Sequence, residues 1–318
     1  MELLTPKVSI IGCGNVGMKY AYATVIKGVA RQLVLIDVDR QRIEGEAMDL
    51  SHGAPYVSPV EVYAGDYSDL AGSDLVVVTA GKPRKKDQTR IQLVQDNVEL
   101  FKKIIPEIVK HAPSAILLII SNPVDILSYA AWKISGKPAK EVIGSGAVLD
   151  SARLRNQIAR HCAIDPRNVH AYILGEHGDT AFPVWSKAML GGTRFEDYCK
   201  LSQPEGSCNH EETTSSMFLD VRDSGRQIIQ RKGETSYGIG LAAVRISQAI
   251  LKDENALMPV SSLAQNYLGI DDVYLSLPAV VNRGGIREVL QIELSDKERQ
   301  LLNHSAEALK SVIRECKL

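Results

Sequence analysis

Near its N-terminus the chain reads Val8-Ser9-Ile10-Ile11-Gly12-Cys13-Gly14-Asn15-Val16-Gly17. A short apolar run enters a glycine-rich turn, and a helix-like segment follows directly. In this context Gly12 permits a tight turn, Gly14 lets a pyrophosphate approach the backbone, and Gly17 lets the helix pack closely on the strand. The amide groups at the start of the helix would also attract phosphate. The segment therefore predicts the opening strand and helix of a dinucleotide-binding unit.

A carboxylate follows at the spacing that such a unit requires. Asp37 ends the second apolar run, twenty residues after Gly17, where it can accept hydrogen bonds from both ribose hydroxyls of an adenosine. A glycine turn followed by a merely solvated aspartate would leave this spacing to chance. Because a carboxylate repels a 2'-phosphate, we expect NAD rather than NADP as the cofactor.

Short apolar runs alternate with amphipathic stretches over the first half of the chain. Such runs are typical of strands covered on both faces, and the intervening helices are suited to connect parallel neighbours. The strand candidates are residues 8–11, 33–36, 60–63, 75–79, 115–120 and 141–143. We predict an α/β fold in which residues 1–145 form an NAD-binding Rossmann domain with a doubly wound parallel sheet.

The pattern changes after this point. A helix expected over 149–161 precedes short strand candidates at 169–174, 273–277 and 286–293, with long helical periods between them. Ser295 and Glu298 form a capping-box pattern at the start of a final helix. Its apolar positions share one face and are Leu302, Ala306, Leu309 and Ile313. We expect residues 146–318 to form an α+β catalytic and substrate domain with antiparallel strands.

The composition argues against several classes of partner. The 318 residues include 37 basic and 38 acidic side chains, a balance that predicts neither nucleic acid nor a membrane surface as a partner. The longest apolar runs are too short to span a bilayer. The five cysteines contain no Cys-x-x-Cys pair, and His210-Glu211-Glu212 lacks the second histidine of a zinc motif. We therefore expect a cytoplasmic protein without a metal.

Two further segments carry groups suited to acid–base chemistry. His177 lies between glycines in Gly175-Glu176-His177-Gly178-Asp179. A lone histidine is usually structural, but Asp150 and Arg153 are three residues apart and share a helical face. If Asp150 binds the ring of His177, the imidazolium can donate a proton to a carbonyl. Arg153 could then bind a carboxylate through two parallel hydrogen bonds, although an ordinary helical ion pair is the alternative.

These motifs together resemble the L-lactate and malate dehydrogenase superfamily. The resemblance also rests on Thr79-Ala80-Gly81, Ser121-Asn122-Pro123-Val124-Asp125 and Gly144-Ser145-Gly146, which stand in the family's order. It extends over residues 7–318, and most details resemble bacterial L-lactate dehydrogenases. The resemblance implies an NAD-dependent L-2-hydroxyacid dehydrogenase.

The resemblance also implies roles for individual residues. His177 would be the acid–base catalyst, Asp150 its orienting partner, and Arg90 the loop arginine that polarises the ketone. The substrate would be bound by Arg84, Arg90, Asn122, Arg153 and Thr235. The cofactor would contact Gly12, Gly14, Asn15, Val16, Gly17, Asp37, Thr79, Ala80, Gly81, Asn122, Ser145 and Ile239.

One loop position departs from the lactate dehydrogenase pattern. Lactate dehydrogenases usually carry glutamine where this chain has Arg84, whereas malate dehydrogenases carry arginine. A charge left unpaired in a closed site is costly. Arg84 would face the methyl group of pyruvate but would meet the second carboxylate of oxaloacetate. We therefore predict a lactate dehydrogenase framework with added activity on oxaloacetate and malate.

Four alternatives remain open from the sequence. Arg84 could belong to a solvated basic loop, the enzyme could be a lactate dehydrogenase that tolerates this arginine, or it could be a committed malate dehydrogenase. A non-catalytic NAD-binding protein with a structural role is the fourth, but it would have little reason to keep His177, Asp150, Arg153 and Arg90 together.

A second arginine on the helix of Arg153 suggests regulation. Arg155 lies about 200° around the helix from Arg153, so it faces away from the substrate. Arg155 and His170 match the pair that binds fructose 1,6-bisphosphate between subunits of bacterial lactate dehydrogenases. Ordinary interface packing is the alternative. The resemblance also implies a homotetramer, with a dimer left open.

Overall fold

A nine-stranded sheet organises the protein, of which the computed structural model describes residues 5–83, 88–202 and 210–318. Six of the strands are parallel, and their bounds are β1 Lys7–Ile11, β2 Gln32–Ile36, β3 Glu61–Ala64, β4 Leu75–Val78, β5 Ile116–Ile119 and β6 Val142–Gly144. They run in the spatial order β3-β2-β1-β4-β5-β6. This is the strand order of a Rossmann sheet, so the fold class predicted for the N-terminal half is confirmed.

Helices cover both faces of the parallel sheet, as strands that are apolar on both sides require. Val8 and Ile10 face one core together with buried residues of the helices Asn15–Lys27, Arg40–His52 and Tyr237–Leu251. Ile11 faces the other core with residues of the helices Arg90–His111 and Val124–Ser135. The helices are α1 Asn15–Lys27, α2 Arg40–His52, α3 Arg90–His111, α4 Val124–Ser135, α5 Val148–His161, α6 Phe195–Ser202, α7 His210–Lys232, α8 Tyr237–Leu251 and α9 Asp296–Glu315.

Antiparallel strands of the C-terminal half continue the same sheet. They are β12 Ala256–Ala264, β13 Val273–Asn282 and β14 Gly285–Val289, and β12 joins β6 where Ser261 lies opposite Gly144. Two smaller antiparallel sheets use β7 Val169–His170, β8 Ile173–Leu174, β9 Phe182–Pro183, β10 Met189–Leu190 and β11 Thr193–Arg194. The expected α+β character of this half is confirmed, and one sheet spans both halves.

Some predicted boundaries were wrong. The strand expected over 169–174 is two short strands, β7 and β8, which pair with different neighbours. The strand expected over 286–293 ends at Val289. The sequence prediction missed β12 because Pro259, Ser261 and Ser262 interrupt its apolar pattern, and a proline usually argues against an interior strand.

The final helix agrees with its predicted cap. Ser295 Oγ accepts a hydrogen bond from the Glu298 amide, and Glu298 Oε2 accepts one from the Ser295 amide at 2.9 Å. The four predicted apolar positions of α9 are buried. Within the described ranges, no helix combines the length and the apolar character needed to cross a bilayer.

Candidate active site

The glycine turn between β1 and α1 leaves an open approach to the start of the helix. Gly12 has a φ of 94°, and a side chain there would collide with the backbone of Ala80. A Cβ on Gly17 would collide with the Gly12 carbonyl, whereas a Cβ on Gly14 would meet no atom within 4 Å. Among the described residues, no side chain caps α1. The open space and the uncapped amides fit a pyrophosphate.

Asp37 lies at the C-terminal end of β2, directly beside this turn. Its Oδ2 accepts a hydrogen bond from the Cys13 amide at 2.7 Å, and its Oδ1 accepts one from the Asp39 amide at 3.2 Å. Arg42 Nη2 lies 3.5 Å from Asp37 Oδ2. These contacts orient the carboxylate, and each oxygen can accept a further hydrogen bond. The geometry therefore fits the ribose of an adenosine.

The other predicted cofactor residues lie mainly at the C-terminal ends of neighbouring strands. Thr79 Oγ1 donates to the Gly12 carbonyl, and the Ala80 amide donates to the Ile11 carbonyl at 2.9 Å, so the turns after β1 and β4 are joined. Ser145 is buried after β6, and Ile239 is partly buried in the first turns of α8. Parallel strands present such residues along one sheet edge, where dinucleotides bind.

The structure brings His177, Asp150 and Arg153 into contact. His177 Nδ1 lies 2.7 Å from Asp150 Oδ2, and Arg153 Nη1 lies 3.0 Å from Asp150 Oδ1. The two α5 residues share a face, and the histidine comes from the loop after β8. All three line a cavity of about 200 Å³ between this loop, α5 and α7. An imidazole that could donate a proton and a guanidinium that could bind a carboxylate therefore face one small volume.

The neighbouring charges set the protonation of the pair. Burial opposes protonation of His177, but the Asp150 carboxylate outweighs it through charge and hydrogen bonding, so the pKa of His177 is raised. Burial would raise the pKa of Asp150, yet His177 and Arg153 together hold it below its ordinary value. This arrangement favours an imidazolium paired with an ionised aspartate over the two neutral groups.

Arg90 begins α3 and reaches the segment of His177 from the other side. Its guanidinium contacts the buried Glu176 carboxylate and lies 3.4 Å from Asp179 Oδ2. Arg84 lies outside the described residues. Asn122 follows β5 and Thr235 precedes α8, and neither is among the described residues that line the cavity. The structure therefore assembles the acid–base group with Arg153, whereas Asn122 and Thr235 do not lie at the same cavity wall.

Sequence reasoning missed two buried polar residues that support the site. Asn97 is fully buried on the apolar face of α3 and accepts a hydrogen bond from the Lys82 amide at 2.7 Å, which anchors the start of the loop. A polar residue between Val94 and Val98 was the available signal. Asp125 accepts a hydrogen bond from the His177 amide at 2.7 Å. The sequence indicates Asp125 only as the last residue of the motif Ser121-Asn122-Pro123-Val124-Asp125.

The predicted effector pair lies away from this cavity. Arg155 is partly buried on α5, where its Nε donates to the Ser151 carbonyl at 3.4 Å, and His170 is exposed on β7. Burial lowers the pKa of Arg155; nearby Tyr172 opposes this effect and nearby Arg245 adds to it. In the part of the chain that is described, no three histidine, cysteine or carboxylate side chains are grouped so that they could hold a metal ion.

Comparisons with known proteins agree with this geometry. Residues 6–144 match the family model described as lactate/malate dehydrogenase, NAD binding domain, and residues 147–317 match the alpha/beta C-terminal domain of the same family. The NAD cofactor predicted from Asp37 is thereby confirmed.

Similar proteins cover almost the whole chain. An L-lactate dehydrogenase of Clostridium botulinum is 47% identical over 97% of this chain and 96% of its own length. The structure of a lactate dehydrogenase from a Medee basin deep-sea metagenome library has a TM-score of 0.96 and 43% identity, covering 99% of this chain and 100% of that chain. The minor L-lactate dehydrogenase of Enterococcus mundtii has a TM-score of 0.93 and 38% identity, covering 98% of each chain. The chain therefore belongs to the lactate/malate dehydrogenase family.

Proposed function

We propose that the protein is an NAD-dependent L-lactate dehydrogenase that converts pyruvate and NADH to L-lactate and NAD. The observation that carries this proposal is the 2.7 Å contact of His177 with Asp150 beside Arg153, at one cavity. Relatives of this chain that are named L-lactate dehydrogenase support the choice of substrate. A ketone next to a carboxylate matches a proton donor next to an arginine.

The residues would act in a simple division of labour. Arg153 binds the substrate carboxylate through its guanidinium, and Asp150 fixes the ring of His177 so that Nε2 faces the ketone. When bound, NADH supplies the hydride that reduces the ketone carbon. His177 donates its proton to the ketone oxygen, and in the reverse direction the neutral ring recovers the proton from the hydroxyl.

Arg90 would complete the site by moving from its present partners. It contacts Glu176 and Asp179, and its side chain is about half exposed at 48%. Closure of the loop would let its guanidinium polarise the ketone while water leaves the cavity. Glu176 would hold the guanidinium close to His177 until substrate binds.

Oxidation of NADH with pyruvate tests this proposal directly. His177→Gln should lower kcat/KM by roughly 10²- to 10⁴-fold, because general acid catalysis is lost. His304→Gln, at an exposed position of α9, is the matched control and should retain the activity. A wild-type protein that binds NADH without reducing either pyruvate or oxaloacetate would contradict the proposal and favour a non-catalytic role.

We also propose that Arg84 confers activity on oxaloacetate and malate. The support is its position six residues before Arg90 in a loop whose start is anchored by Asn97. A second carboxylate would pair with the guanidinium, whereas the methyl group of pyruvate would not. Two alternatives remain: a lactate dehydrogenase that tolerates Arg84, and a committed malate dehydrogenase.

The ratio of kcat/KM for oxaloacetate to that for pyruvate separates these possibilities. Arg84→Gln should shift the ratio toward pyruvate by roughly ten- to hundredfold, the effect of one charged hydrogen bond. Lys86→Gln removes one positive charge from the same loop and should leave the ratio near that of the wild type. Equal ratios for the wild type and Arg84→Gln would exclude the selector role.

We further propose a homotetramer with an effector site. Helices α1 and α8 expose apolar surface that a second copy could cover, at Tyr22, Ile26, Tyr237 and Leu241. Sedimentation should therefore give four times the 34.8 kDa chain mass, and a dimer would contradict the tetramer.

The closeness of Arg155 to Arg245 supports binding of an anion such as fructose 1,6-bisphosphate. Addition of that compound should lower the pyruvate concentration for half-saturation, and an unchanged value would exclude the effector.

The domain division at residues 145 and 146 and a cytoplasmic location complete the proposal. The change from parallel to antiparallel pairing after β6 supports the division, and the absence of paired cysteine motifs supports the location.

A further inference from the structure

Asp125 is a buried carboxylate in the first turn of α4, and it touches the backbone of the proposed acid–base residue. Only 3% of its surface is exposed. Its Oδ2 accepts a hydrogen bond from the His177 amide at 2.7 Å, and its Oδ1 accepts one from the Ser261 hydroxyl at 2.6 Å. One side chain thereby joins α4, the loop after β8 and strand β12.

Hydrogen bonding alone does not explain a carboxylate at this position. Both donors are neutral groups, and an asparagine could serve them equally, because its carbonyl can accept from the His177 amide and its NH₂ group can donate to Ser261 Oγ. A buried charge without a cationic partner is costly. The property that distinguishes aspartate from asparagine here is its negative charge.

The charges around His177 show what that charge can do. The ring faces Asp150 from α5, and the positive Arg153 on the same helix binds the other oxygen of Asp150. Glu176, the neighbour of His177 in the chain, is paired with Arg90. The charge of Asp150 is thus partly balanced by Arg153, whereas the hydrogen-bond donors to Asp125 carry no charge.

We propose that Asp125 is a positioning residue that orients the His177 loop through the backbone amide and whose negative charge keeps the imidazole protonated for reaction. This inference rests on the proposed function. Burial disfavours the imidazolium, and the charges of Asp150 and then Asp125 favour it, so that the pKa of His177 is raised. Burial raises the pKa of Asp125 itself to about 6, which leaves it ionised at neutral pH.

The test is the pH dependence of both reaction directions in Asp125→Asn. In the wild type, kcat/KM for pyruvate reduction should fall, and that for lactate oxidation should rise, as His177 loses its proton. The substitution should move both limbs, the pH ranges over which kcat/KM changes, to lower pH. Above the limb, pyruvate reduction should be about three- to tenfold lower than in the wild type, whereas lactate oxidation below the limb should be higher by the same factor. The pKa of His177 obtained from a ¹⁵N NMR titration should fall by the same amount as the limbs.

A matched control residue, Asp272, precedes β13 and contacts the same helix, α4. Asp272 accepts a hydrogen bond from Tyr129 at 3.2 Å and lies 3.6 Å from Lys133, both in the later turns of α4. Asp272→Asn is the same chemical change beside the C-terminal half of α4 and should leave both limbs in place. A purely structural role for Asp125 would lower both directions together without moving a limb.

A second variant keeps the aspartate. The Ser261 hydroxyl stabilises the ionised carboxylate, so Ser261→Ala should move the limbs in the same direction by a smaller factor, about two- to threefold. Limbs that stay at the wild-type pH in both variants of an active enzyme would overturn this inference alone. A wild type that reduces neither pyruvate nor oxaloacetate would overturn the proposed function, and the inference with it.

Discussion

The first turns of α4 and α5 each bring one buried aspartate to His177, yet the two carboxylates differ in their acid–base behaviour. Asp150 binds the imidazole ring and a guanidinium, and these two partners hold its pKa below the ordinary value despite burial. Asp125 binds a backbone amide and a hydroxyl, and burial raises its pKa to about 6. Similar burial therefore leads to opposite shifts, because only Asp150 is hydrogen-bonded to charged side chains.

The difference separates catalytic need from stability. The charge of Asp150 is compensated inside the site, so its ionisation stabilises the folded protein at neutral pH. The charge of Asp125 is compensated much less, so the folded protein would be more stable if this group were neutral. A residue that is unfavourable for stability and lies against the proposed acid–base group is expected where function requires it.

The largest expected effect comes from Asp150→Asn. The amide cannot stabilise the imidazolium and leaves Arg153 without its anionic partner, so kcat/KM for pyruvate should fall by roughly 10²- to 10⁴-fold. Steady-state NADH oxidation measures this loss. Binding of NADH, followed by its fluorescence, should stay near the wild-type value because Asp37 and the glycine turn are untouched. A loss below tenfold would contradict the role of Asp150.

Arg153→Lys tests the role of the guanidinium that contacts Asp150 but not Asp125. Lysine keeps the positive charge but loses the planar fork that binds a carboxylate through two hydrogen bonds. The KM for pyruvate should rise by roughly ten- to hundredfold, equivalent to one charged hydrogen bond. A similar rise in KM for a neutral ketone without a carboxylate would show that the guanidinium acts in some other way.

Asp125→Asn should raise the free energy of unfolding, whereas removal of a buried contact usually lowers it. The pKa of Asp125 is about 6 in the folded protein and 3.8 for the ordinary group. The contribution of this group to the free energy of unfolding is therefore fully present below about pH 3.8 and is lost as the pH rises through about 6. Asparagine mimics the protonated form. At pH 7.5 the variant should therefore be more stable by about 2 to 3 kcal/mol, and the difference should shrink in acid.

Thermal and urea unfolding at several pH values would measure this difference. Asp150→Asn is the opposite case, because the pKa of Asp150 is lowered in the folded protein, and it should be destabilised at neutral pH. An Asp125→Asn protein that is less stable than the wild type at pH 7.5 would contradict the assignment of a costly charge to Asp125.

The smallest effect is a displacement of the wild-type pH profile. The pKa of His177 is raised from the ordinary value of 6.5, so the protonated ring persists above that pH. The decline of kcat/KM for pyruvate reduction should be centred above pH 6.5, and the rise of lactate oxidation should follow the same limb. A limb centred below pH 6.5 in both directions would mean that burial outweighs the two aspartates.

The sequence by itself determined the features that depend on short spacings. The glycine turn after β1, the acidic end of β2, the capping box of α9 and the shared helical face of Asp150 and Arg153 follow from local backbone geometry. The predicted parallel strands agree with the structure to within a residue or two at their ends. These patterns depend on the conformational preferences of residues that are close together in the sequence.

Only the tertiary structure decided how distant groups meet. Asp125 is separated from His177 by 52 residues and from Ser261 by 136, and no periodicity encodes such contacts. Strand β12 forms despite Pro259 and its serines because it lies between β6 and β13, and Asn97 is buried because the start of the loop supplies its partner. Such contacts depend on the packing of the whole chain, since each becomes favourable only after the elements around it have removed water.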